Sequence, residues 1–168
     1  MKMMCNRWME IRDPVHGNIH ILDQEVPIIR AEFFQRLRNI KQLGLSEYIF
    51  PGATHTRFIH SIGVMSIGER AFDKLFNDKL FYQVIGNDKL SMQRLRETFK
   101  LACLLHDVGH APLSHSTESV MPQLSALKIP KEFLDGKDLI SDRQATHEDY
   151  TIKSIADSSF ASSFRQIE

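Results

Sequence analysis

The sequence predicts a mostly α-helical domain with a small β element near its N-terminus, and three observations carry that prediction. The composition is that of an ordinary globular chain, with 42% hydrophobic and 25% charged residues over 168 positions, which removes disordered, collagen-like and coiled-coil readings. Apolar residues recur at helical spacing in three long runs. Alternation of apolar and polar residues is confined to one short stretch near the start.

In chain order, residues 1–10 read as an N-terminal extension and 11–168 as a single domain. Residues 11–24 hold a turn with Pro14 and Gly17 followed by alternation, the pattern of a short hairpin. From 26 to 43 the period becomes helical, with Phe33, Leu37 and Ile40 on one face and Gly44 as the stop. A loop with a Pro51-Gly52 turn leads to a second helix over about 58–76, whose face is made by Phe58, Ile62, Met65, Phe72 and Phe76. A third helix is expected from Ser91, an N-cap residue, through Leu95, Phe99, Ala102 and Leu105, ended by Gly109 and Pro112. A short helix over about 113–121, a polar connector over 122–142 and a last helix over about 147–160 complete the chain. Thr146 and Asp149 open that last helix as a capping box.

Lys plus Arg equals Asp plus Glu, 21 against 21, so net charge predicts neither a nucleic-acid coat nor a membrane-surface protein. No stretch approaches the roughly 18 apolar residues of a membrane span, and residues 1–10 lack the apolar core of a signal peptide. Cys5 and Cys103 have no metal-type spacing, and a reducing, cytoplasmic setting is the expectation.

The eight histidines are the chemically informative residues. In a chain so rich in them, the His106-Asp107 dipeptide means little by itself. Its context means more, because it ends the apolar run 101–105, where the helix should be buried. A buried carboxylate and imidazole need a partner, since an unpaired buried charge costs several kcal/mol, and a divalent cation would serve both. His110 and His115 follow, so HDVGHAPLSH places three imidazoles and one carboxylate at a helix end and the loop beyond it. That arrangement suits a metal, a phosphate or proton transfer near neutral pH. His60, on the second helix with Val64 and Ile67, reads by itself as a core histidine satisfied by one hydrogen bond.

RDPVHGNIHI, FQRLRNIKQLG, FPGATHTRFIHSIGV, LACLLHDVGHAPLSHS and THED follow one another in that order. Together they resemble the HD-domain metal-dependent phosphohydrolases, most closely the deoxynucleoside triphosphate triphosphohydrolases of the SAM-and-HD-domain type, over about residues 11–160. The resemblance implies the helical HD-domain fold and one divalent metal ion (Mn, Fe, Zn, Ni or Mg), with His60, His106 and Asp107 among its ligands. It implies that Arg57 grips the α-phosphate and that Gln42 and Leu43 contact the deoxyribose. It also implies that His110 and His115 face the scissile phosphorus, with His115 as general acid, and that His147 supports them. The implied reaction is attack of a metal-activated water at the α-phosphate of a deoxynucleoside triphosphate, releasing deoxynucleoside and inorganic triphosphate. Relatives usually assemble into oligomers, so a homo-oligomer, or a partner supplying C-terminal elements, is also expected.

The sequence departs from the family at two places. The fourth ligand of the family, an aspartate, lies many tens of residues beyond the histidine matched by His147, whereas this sequence ends 21 residues after it. The C-terminal part of the catalytic domain is therefore expected to be missing, leaving Asp149 and Asp157 on the last helix. Gln35 and Arg38 match two residues of a guanine-nucleotide activator site, but Arg30 stands at the acidic guanine-reading position and cannot accept its N–H bonds. Activation of that kind is not carried over, and Gln35, Arg36 and Arg38 read as a solvated helix face. Two other functions stay open on the sequence: an HD-type nucleotidase or phosphodiesterase, and an inactive HD module that binds nucleotide, nucleic acid or a partner protein.

Overall fold

The computed structural model describes residues 8–76, 89–138, 142–156 and 159–161. Two strands, β1 (Trp8–Asp13) and β2 (Gly17–Leu22), form an antiparallel hairpin in which Met9 faces Ile21 and Asp13 faces Gly17. Asp13 makes the turn. Its Oδ1 accepts the N–H groups of Val15 and His16, both at 2.8 Å, and Gly17 takes a φ of 75°, which glycine adopts without steric cost. Alternation along β2 then sends Ile19 and Ile21 into the core.

Residues 26–43 differ from the single helix expected. They form α1 (Val26–Arg30), α2 (Glu32–Gln35) and a 3-10 turn (Arg36–Asn39), with Ala31 extended between the first two at φ −58°, ψ 136°. Ile28 and Ile29 of α1 are buried, and after Ala31 the buried apolar residues are Phe34, Leu37 and Ile40. Their spacing of three is that of a 3-10 helix, and it leaves Phe33 only partly packed on the core.

Two long helices, α3 (Arg57–Phe76) and α4 (Lys89–Leu105), pack along each other. As expected, α3 buries Phe58, Ile62, Met65 and Phe72. The buried face of α4 is only in part the one expected: Leu105 is buried, but Leu95 and Phe99 are 40% and 41% exposed, and Met92, Lys100 and Leu104 are buried instead. Ala102 is exposed too, so the run 101–105 is not buried all round. Electrostatics explains the choice. Lys100 Nζ reaches Glu25 Oε1 at 2.8 Å and Glu69 Oε1 at 3.2 Å, and Glu25 takes the Leu22 N–H on its other oxygen at 2.9 Å. One buried cation thus ties the hairpin, the entry to α1 and both long helices together.

The expected short helix and connector contain 3-10 turns at Ser114–Val120, Leu124–Leu127 and Lys131–Phe133. Helix α5 (His147–Ala156) follows. Asp149 receives the Thr146 N–H at 2.7 Å, the carboxylate half of a capping box. It also takes both arms of Arg143, at 2.6 and 2.9 Å, so this acid is fully engaged. Asp157 and Cys5 lie outside the described residues. Among the described residues, no helix is long and apolar enough to cross a membrane.

Removing one member of a buried ion pair strands the other. Lys100→Ala should therefore cost about 3–5 kcal/mol in urea unfolding, while Lys100→Met combined with Glu25→Gln recovers most of the loss. A cost below about 1 kcal/mol for the single variant, the range of an exposed pair, would show that Lys100 does not set the face of α4.

Candidate metal and phosphate site

Helix α4 stops at Leu105, and the turn after it carries His106, Asp107 and His110. Facing that turn is the start of α3, with Arg57 and, one turn on, His60. The Arg57 N–H donates to the Ile40 carbonyl at 2.8 Å and the Gln42 N–H to the His55 carbonyl at 3.1 Å, which draws Gln42 and Leu43 alongside. From the other side α5 lies directly on the turn. The Gly109 N–H donates to Thr151 Oγ1 at 2.9 Å, and a Cβ at Gly109 would strike the backbone of His147 and Thr151. Only glycine lets His147 come this close.

Asp107 is the centre of the site. Its carboxylate lies 2.5 Å from Arg57 Nη1, 3.4 Å from His106 Nε2, 3.6 Å from His110 Nε2 and 3.7 Å from His60 Nε2. Burial favours the neutral acid, but the hydrogen bond to His106 and the neighbouring cationic groups hold the carboxyl well below the usual range. His106 is shifted up, chiefly by its bond to Asp107, and its Nδ1 lies 2.9 Å from the Cys103 carbonyl. That contact assigns the Nδ1 proton and leaves Nε2 as the ligating nitrogen, the usual outer support of a metal-binding histidine. Burial pushes His60 down and keeps it neutral, as ligation requires. One donor atom each from His60, His106 and Asp107 falls within a 4.8 Å cluster. Two imidazoles and a carboxylate fit a divalent cation.

The other three histidines meet beside this cluster. His110 and His147 stack with ring centres 3.7 Å apart and 15° between planes, and His115 stands edge-on to both at 4.9 and 5.0 Å. Glu118 Oε1 receives His147 Nδ1 at 2.5 Å and His115 Nδ1 at 3.2 Å. Burial, then the Arg57 and His147 charges, push His110 down to about 3. All nine residues singled out in the sequence line one pocket of 510 Å³: Gln42, Leu43, Arg57, His60, His106, Asp107, His110, His115 and His147. Three buried atoms of residues lining it, Arg57 Nε, His110 Nδ1 and Gln42 Oε1, have no partner among the described residues.

Three contributors were not singled out for the site. Glu118 lies three residues after His115 on a 3-10 turn, where such positions eclipse; that spacing is the signal that could have found it. Ser114 takes a hydrogen bond from Arg57 Nη2. Arg36 is not part of a solvated face: Nη1 donates to the His110 carbonyl at 2.7 Å, Nη2 to that of Val108, and the guanidinium covers the Phe33 ring at 4.5 Å. Its neighbours belong to the fold as well. Gln35 Nε2 donates to the Ile29 carbonyl at 2.6 Å, and Arg38, exposed as expected, lies over the Phe58 ring at 3.6 Å.

A helical domain whose pocket joins a His-His-Asp cluster to a guanidinium and three further imidazoles has the layout of a metal-dependent phosphohydrolase. The family model described as HD domain matches residues 57–162. The chain belongs to the HD domain family. Among curated relatives, deoxynucleoside triphosphate triphosphohydrolase SAMHD1 of Homo sapiens is 43% identical over 105 residues, covering 62% of this chain and 16% of that protein. A SAMHD1 homolog of Dictyostelium discoideum is 36% identical over 118 residues, covering 70% and 22%. An uncharacterised protein of Methanocaldococcus jannaschii is 41% identical over 108 residues, covering 64% and 20%. The chain thus spans about a fifth of the length of these relatives. The crystal structure of a hypothetical protein from Aquifex aeolicus aligns with a TM-score of 0.65 at 32% identity, over 96% of this chain and 34% of that one.

The state of His110 has a consequence for stability in the metal-free protein. The folded chain keeps this ring neutral down to about pH 3, whereas the unfolded chain takes up a proton below its ordinary value of 6.5. Between those values the unfolded state binds more protons, so stability falls as the pH is lowered from 6.5 towards 3. Urea midpoints across that window should fall less steeply in His110→Gln than in the parent. Parallel curves would show that His110 is not held neutral by the fold.

Proposed function

We propose that this pocket hydrolyses deoxynucleoside triphosphates to deoxynucleoside and inorganic triphosphate. The observation that carries this reading is the position of Arg57, bonded to Asp107 of the His60, His106 and Asp107 cluster in a pocket shared with His110, His115 and His147. The 510 Å³ of the pocket lies within the roughly 300–1,000 Å³ of small-molecule sites. Support also comes from the relatives whose names carry this activity.

His60, His106 and Asp107 would hold one divalent cation, which when bound offsets phosphate charge and lowers the pKa of water. Arg57 supplies a planar fork that matches phosphate oxygens. The oxygen of the attacking water forms a bond to the α-phosphorus and gives up a proton to solvent, the bond from phosphorus to the sugar 5′-oxygen breaks, and that oxygen takes a proton from His115, which solvent restores. Glu118 holds His115 by Nδ1, which leaves Nε2 to face the leaving group. His110, neutral and stacked on His147, offers an N–H to a phosphoryl oxygen. The unpartnered Gln42 Oε1 accepts from a sugar hydroxyl. Leu43 packs on the C2′ edge, where a ribose hydroxyl would be desolvated without a partner.

Two measurements test the reading in order. Elemental analysis should find near-stoichiometric divalent metal in the parent chain, lost in His60→Ala and Asp107→Ala. Phosphorus NMR of a reaction with a deoxynucleoside triphosphate should then show inorganic triphosphate formed in step with deoxynucleoside, abolished by a chelator. Stepwise release of orthophosphate, or release of orthophosphate from a monophosphate only, would move the assignment to a nucleotidase.

A further inference from the structure

Among the described residues two that carry a Cβ have left-handed backbone, the exposed Lys128 and the buried Ser114. The φ of Ser114 is 59°, in a region that residues with a Cβ seldom enter. The position is fixed from several sides: its N–H donates to the Ala111 carbonyl at 3.0 Å, and its own carbonyl accepts from Thr117 Oγ1 at 2.8 Å. Gly44, itself left-handed at φ 52°, presses against it, and a Cβ there would lie 3.4 Å from Ser114 Cβ. A strained, buried hydroxyl that only packed would be better replaced by glycine. The Ser114 hydroxyl, however, accepts a hydrogen bond from Arg57 Nη2.

We propose that Ser114 is the positioning residue for Arg57: its left-handed backbone aims the hydroxyl at one arm of the guanidinium while Asp107 fixes the other. The fork is then locked from two sides, by Ser114 and, at 3.4 Å, the Gln42 carbonyl on Nη2 and by Asp107 on Nη1. Nε, buried and without a partner among the described residues, and the second Nη1 hydrogen are the donors left over for an oxyanion. A free guanidinium would have to be ordered when its ligand arrives; a clamped one is already ordered. Only this last, oxyanion step depends on the function proposed above.

Ser114→Ala and Ser114→Gly separate the two properties of the residue. Both lose the hydroxyl, but only glycine relieves the backbone, so Ser114→Gly should unfold at higher urea than Ser114→Ala. Nitrogen-labelled protein should show separate, slowly exchanging Nη signals for Arg57 in the parent and averaged signals in both variants. Affinity for inorganic tripolyphosphate, measured with the divalent metal present, should fall about tenfold in both variants alike, the worth of one hydrogen bond to a charged group. Averaged Arg57 signals in the parent, or resolved ones in both variants, would overturn the assignment. So would tripolyphosphate affinity that follows stability, with glycine binding better than alanine. A parent chain that shows a locked Arg57 released by both substitutions, yet binds no tripolyphosphate, would uphold Ser114 and sink the phosphate reading instead.

Discussion

A buried carboxylate sits at the middle of this domain, and the rest of the structure is arranged to make that tolerable. Asp107 is 6% exposed and is approached by Arg57 and by three imidazoles, those of His60, His106 and His110. An ion taken out of water loses several kcal/mol of hydration unless charges and hydrogen bonds replace it. Each neighbour of Asp107 supplies part of that replacement, and three of the four are held in turn by something else: His106 by the Cys103 carbonyl, Arg57 by Ser114, His110 by its stack on His147. The order of the site therefore follows from compensating one charge.

The scaffold is organised to keep the turn carrying Asp107 in place. Arg36 grips it from the side of the 3-10 turn by the carbonyls of Val108 and His110. Helix α5 grips it from the other side through Thr151, whose Oγ1 accepts from the Gly109 N–H and donates to the His106 carbonyl at 3.3 Å. The approach to α5 is secured by Gln144, whose amide donates to the carbonyls of Ser119 and Met121, both at 2.8 Å. These bonds join segments that carry His110, His115, Glu118 and His147, so the imidazole group and the carboxylate cluster are built on one connected framework.

The long elements were legible in the sequence, and the reasons are physical. Helix α3 announced itself because its buried residues repeat with the helical period. His106, Asp107, His110 and His115 drew notice as a cluster at a helix end, whereas Arg57, His60 and His147 joined them only through the family resemblance, and the structure brings all seven to one pocket. Three things were not legible. The path of residues 26–43 was misread as one helix because Phe33, Leu37 and Ile40 fit an α period, while Phe34, Leu37 and Ile40 fit the 3-10 period the chain adopts. The buried face of α4 was misread because Lys100 carries a charge, and apolarity cannot foresee a lysine whose carboxylate partners sit 75 and 31 residues away, at Glu25 and Glu69. Arg36 hid for the same reason, since its partners are backbone carbonyls that leave no mark in composition.

Two of the buried ionic groups make a useful contrast. Lys100 and Glu25 are closed: the cation has two carboxylates, and the acid has the cation and a backbone N–H. Arg57 and Asp107 are open, because atoms around them remain unpaired. Five buried side-chain atoms lack a partner among the described residues: Arg57 Nε, His110 Nδ1, Gln42 Oε1, Arg36 Nε and Ser61 Oγ. Three of the five belong to residues lining the one pocket. Folded chains leave few such groups unpaired, since each costs about 1–3 kcal/mol. Their concentration at Asp107 is not what stability alone would select, and it marks where the polar groups of a bound ligand complete the structure.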